Sequence, residues 1–141
     1  MAKQLGRALL VKIGDGEASE TFSNLCGLNS KSLTVNNSSI DVTTPDCTAP
    51  EGALWTETLA GLKNVSASGD GFFEDSAAEA RMNAVAMSAD NSVNMQIVVP
   101  DFGTYAGAFR IASLEFGGET EGGVTYSVSL ESTGAVTFTA A

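Results

Sequence analysis

From Tyr105 to Phe116, and again from Val124 to Glu131, apolar and polar side chains alternate with a period of two. In the second run Val124, Tyr126, Val128 and Leu130 face one way, while Thr125, Ser127, Ser129 and Glu131 face the other. Such a strand has one face on a core and one in water. The pairs Gly117-Gly118 and Gly122-Gly123 bracket Glu119-Thr120-Glu121, so the two runs predict a long hairpin. Long strands in a small chain need their edges covered, and copies of the same chain are one cover.

The rest of the chain continues the pattern. A strand over Arg7–Ile13 is expected to end at Gly14-Asp15-Gly16, with further strands over Thr21–Leu28 and Ser32–Asn36 and a turn at Asn36-Asn37. Ile40–Thr43 extends the sheet briefly. The stretch 44–54 holds Pro45, Asp46, Pro50 and Gly52 without periodicity, a long loop of the size that usually carries function. Trp55–Leu62 returns to mixed residues, and Asn64–Phe73 alternates, with Val65 and Ala67 opposite Ser66, Ser68 and Asp70. Gly69 and Gly71 suggest a weak point or bulge there. One helix is predicted over about 76–88: Ser76-Ala77-Ala78-Glu79 fits a capping box, and Ala78, Met82, Val85 and Ala89 form a stripe of small apolar residues. Val93–Val99 is a strand stopped by Pro100. The expected architecture is mainly β, a β-sandwich or partial barrel with one flanking helix.

A length of 141 residues suits one domain, 1–141. No apolar run approaches the roughly 20 residues of a membrane span, and the segment Met1–Arg7 leads into no signal-like apolar block. The expectation is synthesis in the cytoplasm and no membrane insertion. Seventeen acids against seven bases give a formal net charge of −10, which argues against gripping nucleic acid, since phosphates are held by cationic side chains. Lys3, Arg7, Lys12 and Lys31 concentrate four of the bases in the first quarter.

Chemistry finds little footing. There is no histidine, and Cys26 and Cys47 are the only cysteines, too few for a usual four-ligand zinc site. Cys26 reads as a buried small residue, Cys47 as a free thiol in a polar loop. Asp70, Glu74 and Asp75 are the densest acids, but they lack the ligand series of a calcium loop, and helix capping accounts for Glu74 and Asp75. No glycine stretch has phosphate-loop spacing. The acceptor-like Asn37-Ser38-Ser39 and Asn64-Val65-Ser66 carry no weight without secretion. No catalytic residue, metal or cofactor is expected. Trp55, the single tryptophan, reads either as a core anchor or as an interface anchor.

The order of segments resembles the major tail tube proteins of long non-contractile phage tails and of phage-like gene transfer agents. The resemblance is carried by Leu9–Ile13, Ile40–Thr44, Trp55–Gly61, Val65–Gly69 leading through Phe73 and Ser76 into the helix, Tyr105–Phe109, Ile111–Glu115, Tyr126–Leu130 and Ser132-Thr133-Gly134. It implies a structural virion protein, six to a ring, with an inner sheet completed into a barrel by its neighbours and rings stacked into a tube through which DNA passes without specific binding. Implied partners are other copies and tail proteins such as the tape measure, the tail terminator and the distal tail protein. Glu115, Thr125, Ser127, Ser129 and Glu131 are the resulting lumen-lining candidates. Asp41, Thr44, Pro45, Asp46, Pro50 and Trp55 are the candidates for contact between subunits or rings. Alternatives are a tube protein of a contractile tail or secretion-like system, a carbohydrate-binding β-sandwich, and a carboxylate hydrolase. Few exposed aromatics are available to stack sugars, which weighs against the second.

Overall fold

A computed structural model describes Lys3, residues 5–17 and residues 19–141. Of the basic N-terminal stretch, Met1, Ala2 and Gln4 lie outside the described residues. Seven strands form one antiparallel sheet: β1 (Leu10–Gly14), β2 (Phe22–Asn24), β3 (Leu28–Asp41), β4 (Thr58–Phe72), β5 (Ser92–Val99), β6 (Gly103–Gly117) and β7 (Thr125–Ala140). Their spatial order is β2-β1-β5-β6-β7-β4-β3. The helix α1 (Ala77–Met87) packs on one face.

The two longest-paired strands hold the architecture together because each serves two half-sheets. β6 pairs with β5 over Gly103–Arg110, and β7 pairs with β4 over Thr125–Glu131. Between them β6 and β7 pair along most of their lengths, with register shifts at Gly107/Phe109 and Ile111/Ser113. Irregularities of this kind bend and twist a sheet. Gly134 supports the bend in β7 with a left-handed φ of 96° that other residues avoid.

Val11, Ile13, Val65, Ala67, Met95, Ile97, Phe109, Ile111, Tyr126, Val128 and Leu130 bury their side chains together with Ala78, Met82 and Val85 of the helix. The predicted helix stripe is therefore the packing face. It stops short of Ala89, because Ser88 ends the helix by returning its amide and its hydroxyl to the Val85 carbonyl (3.1 and 2.7 Å). Ser76 does not cap a helix amide with its side chain as the capping box predicts. Its hydroxyl donates to the Glu79 carboxylate instead. Glu79 is buried, so its charge takes the nearest donors, Ser76 and the Tyr126 phenol at 3.2 Å. Arg81 adds a second tie, donating from Nε to the Gly14 carbonyl at 3.0 Å.

Several sequence expectations are corrected. The first strand starts at Leu10, because Gly6–Ala8 form a 3₁₀ turn. The run Thr21–Leu28 divides into β2, a turn at Cys26-Gly27 and the start of β3. Asn36-Asn37 is not a turn: both residues pair with Asn64 and Lys63 inside the continuous β3. Long-range pairing overrides the local turn preference. Trp55 precedes β4, which starts at Thr58 and runs unbroken through Gly69 and Gly71. Gly71 marks a close approach, since a Cβ there would collide with the Gly27 carbonyl. Cys26 is exposed, its thiol reaching only the Asn24 carbonyl at 3.7 Å. Cys47 is also free and exposed.

Burial, reinforced by the Glu79 carboxylate, pushes the Tyr126 phenol well above its ordinary value. The folded chain then keeps a proton that the unfolded chain releases near pH 10. Stability from this group is complete below that pH and is lost as pH rises beyond it. Tyr126→Phe should remove about 0.5–1.5 kcal/mol near neutrality and flatten the alkaline loss. Urea midpoints measured across alkaline pH test this, and parallel curves for the two proteins would contradict it.

Candidate functional site

Strand pairing builds a broad polar face on the side of the sheet away from the helix. Directly opposed residues share a face, so the register defines rows across β3, β4, β7 and β6. One row is Ser30, Asp70, Ser127 and Glu115; the next is Ser32, Ser68, Ser129 and Ser113. A third is Thr34, Ser66, Glu131 and Arg110. Their neighbours Ala67, Val128 and Leu130 point the other way into the core. The rows are knit by short side-chain bonds, including Ser32 to Ser68 at 2.7 Å and Asn36 to Ser66 at 3.3 Å.

All five lumen-lining candidates belong to this surface: Glu115, Ser127, Ser129 and Glu131 in the rows, and Thr125 opposite Phe72 and Gly117 at its border. Ser30, Ser32 and Thr34 on β3 complete it and escaped the sequence reading. Their signal was the alternation Ser30-x-Ser32-x-Thr34-x-Asn36, which a strand expected only over Ser32–Asn36 cut short. Within the rows, three acids (Asp70, Glu115, Glu131) face one base, Arg110.

The second group of candidates sits elsewhere. Beyond Val65, β4 pairs with β3 alone, so residues 35–41 and 58–65 form a two-stranded arm. The connection Val42–Glu57 crowns it. Its base is closed by the Val42 amide on the Glu57 carbonyl (3.0 Å) and the Glu57 amide on the Thr43 hydroxyl (2.9 Å). Asp41 and Asp46 accept from the side chains and amides of Thr43 and Thr48, which hold both carboxyls below their usual range. Thr44, Pro45 and Pro50 are exposed on this connection. Trp55 is 83% exposed and contributes nothing to the core, which rules out its reading as a core anchor. Ile40, Leu54, Leu59 and Leu62 are exposed on the same arm and its connection, an unusual amount of apolar surface for one arm.

Unpaired strand edges are the third feature. β3 borders only β4, the last turn of β6 (112–117) borders only β7, and β7 from Ser132 onward borders only β6. The acids Asp70, Glu74 and Asp75 are all exposed. Among the described residues no group of three or more Cys, Asp or Glu converges as a metal site.

The family model described as phage tail tube protein matches residues 3–138. The chain belongs to the phage tail tube protein family. Among solved structures, the tail of an empty gene transfer agent particle, refined with helical six-fold symmetry, contains a similar chain. The two are 31% identical, superpose with a TM-score of 0.86, and align over 97% of this chain and 99% of that one. The SPP1 tail tube shares the fold at 14% identity and a TM-score of 0.66, over 99% of this chain and 80% of that one. So does a chain of the sheath–tube complex of an extracellular contractile injection system, at 13% identity and a TM-score of 0.60 over 94% and 88% of the two chains. No curated protein matches by sequence.

For this tail tube protein, Trp55→Ala should change the unfolding free energy by no more than about 0.5 kcal/mol, as expected for a surface site, while impairing self-association. Thermal melts of dilute protein and sedimentation of concentrated protein separate the two effects. A large loss of stability would return Trp55 to the core.

Proposed function

We propose that residues 1–141 act as one structural tail-tube domain, forming rings that stack into the conduit for DNA in the tail of a phage or gene transfer particle. The observation that carries this reading is the pair of open edges on the four strands β3, β4, β7 and β6. The free side of β3 in one copy meets the free side of β6 (112–117) in the next, so each copy contributes four strands to a shared barrel. Six copies per ring is the number suggested by the six-fold tail at 31% identity.

In that barrel the serine- and threonine-rich face turns inward. Short hydroxyl side chains leave the bore open, and the excess of Asp70, Glu115 and Glu131 over Arg110 repels duplex phosphates instead of holding them. Glu115, Thr125, Ser127, Ser129 and Glu131 thus line the passage. Asp41, Thr44, Pro45, Asp46, Pro50 and Trp55, carried on the arm, contact neighbouring subunits or the next ring. The role is structural, not enzymatic, and the further partners are the tape measure, terminator and distal tail proteins. A contractile-type tube shares the fold; identity twice as high with the gene transfer agent tail favours the sheathless reading.

Hydrogen exchange on dilute monomer and on assembled tubes tests the edges. Amides of Leu28–Asp41 and of residues 112–117 should gain protection on assembly, and tubes in which both edges still exchange freely would overturn the barrel. Glu131→Lys replaces one inward acid per copy with a base. Tails carrying it should assemble normally and deliver DNA more slowly, and unchanged delivery would remove this face from the lumen.

A further inference from the structure

The core does not fill the space where the β3–β4 arm leaves the body. A cleft of about 530 Å³ opens there, lined by Val35 and Val65 of the arm's root and by Tyr105, Val136 and Phe138 of the bent upper half of β6 and β7. Its walls are mainly apolar, its volume falls in the range that encloses a ligand or an anchoring side chain, and Lys63 is the one charged residue on it. Phe138 and Val35 remain substantially exposed, and Phe138 packs against Tyr105 and Phe102 (ring centroids 4.9 and 5.1 Å).

The opposite end of the body carries the complement. Phe73, Phe116 and Val124 are exposed together: Phe73 stacks edge-on to Phe116 at 5.4 Å, and its amide bonds the Val124 carbonyl at 2.8 Å. Glu74 and Asp75 follow Phe73 directly in the chain, and the exposed Glu119 and Glu121 lie in the connection between Phe116 and Val124. From Val65 at the cleft to Phe72 at this end, β4 spans about 23 Å at 3.3 Å per residue. One end of the body is therefore an apolar hollow with a cation at its rim. The other is an aromatic projection flanked by carboxylates.

We propose that the aromatic end of one copy seats in the cleft of a second copy along the tube axis, with Glu119 and Glu121 beside Lys63. The inference rests on the tube reading above and names the contact between successive rings. Hollow and projection lie on different surfaces, so the contact is heterologous and propagates without closing, as a stack requires. An isologous pairing would terminate after two rings. Opposite charges at the rim disfavour the reversed docking, which would set the carboxylates of two aromatic ends against each other.

Two blocked variants of the full chain test this. Val136→Glu places a charge inside the cleft, and Phe116→Glu places one on the aromatic end. Negative-stain microscopy of each alone should show single rings. Mixing the two preformed ring populations should give pairs of rings and nothing longer, since one intact hollow and one intact projection meet once. Normal tubes, or ring pairs, from either variant alone would overturn the proposal. Lys63→Glu, an exposed change safe for folding, should shorten tubes, and adding Glu119→Lys with Glu121→Lys should restore their length; tubes of unchanged length for Lys63→Glu also overturn it. Failure of the unmodified chain to form rings at all would instead sink the tube reading itself.

Discussion

Backbone groups along a strand must be paired or left to water, and the lengths of β6 and β7 leave part of each to water within one copy. Each is paired on both sides for about half its course and on one side for the rest. The bend between the halves sets the direction of everything else. It turns β7 away from β4, leaves β4 and β3 to continue as an isolated arm, and opens the apolar cleft between them. A 14-residue β3 with one open edge would be an aggregation hazard in a solitary protein. In a proposed ring it is the seam.

The two faces of the sheet follow from the same alternation but carry different energetic weight. The helix-covered face holds Phe109, Met95, Ile97, Met82 and Leu130 in essentially complete burial, and these residues supply the hydrophobic term that dominates folding. The opposite face contributes little to stability. Its hydroxyls bond each other or water, exchanges worth about 1 kcal/mol each at most. Such a surface is free to be selected for what passes over it, and in the proposed tube its small polar side chains and surplus of acids would serve a passage for DNA.

The strand pattern, the hairpin closed by paired glycines, the single helix and its Ala78–Met82–Val85 stripe were legible in the sequence because short-range periodicity fixes them. The five polar-face residues were legible for the same reason: alternation over Val124–Glu131, and over Tyr105–Phe116 for Glu115, assigns each side chain to a face before its partner strand is known. The signals that failed were local ones outvoted by distant pairing. Asn36-Asn37 favours a turn, but Asn64 and Lys63 across the ladder keep the strand extended. Ser76 and Glu79 match a capping box, yet burial of the Glu79 charge against Tyr126 redirects the serine. The exposure of Trp55 was undecidable in one dimension, since a tryptophan prefers the core unless no core is within reach.

Edge pairing alone is a narrow margin for assembly. A seam of a few backbone bonds at about 0.5–1.5 kcal/mol each must overcome an association cost of roughly 4–15 kcal/mol per copy. Ring closure helps, because the last copy gains two seams for one loss of freedom. The surplus must come from apolar surface, and the chain exposes it in three places: the arm with Leu54, Trp55 and Leu62, the cleft, and the Phe73–Phe116 end. None of the three lies on the polar face rows that the barrel would turn inward. In the proposed tube, apolar contact is thereby concentrated on the surfaces where copies meet, and the bore is left to residues that hold nothing.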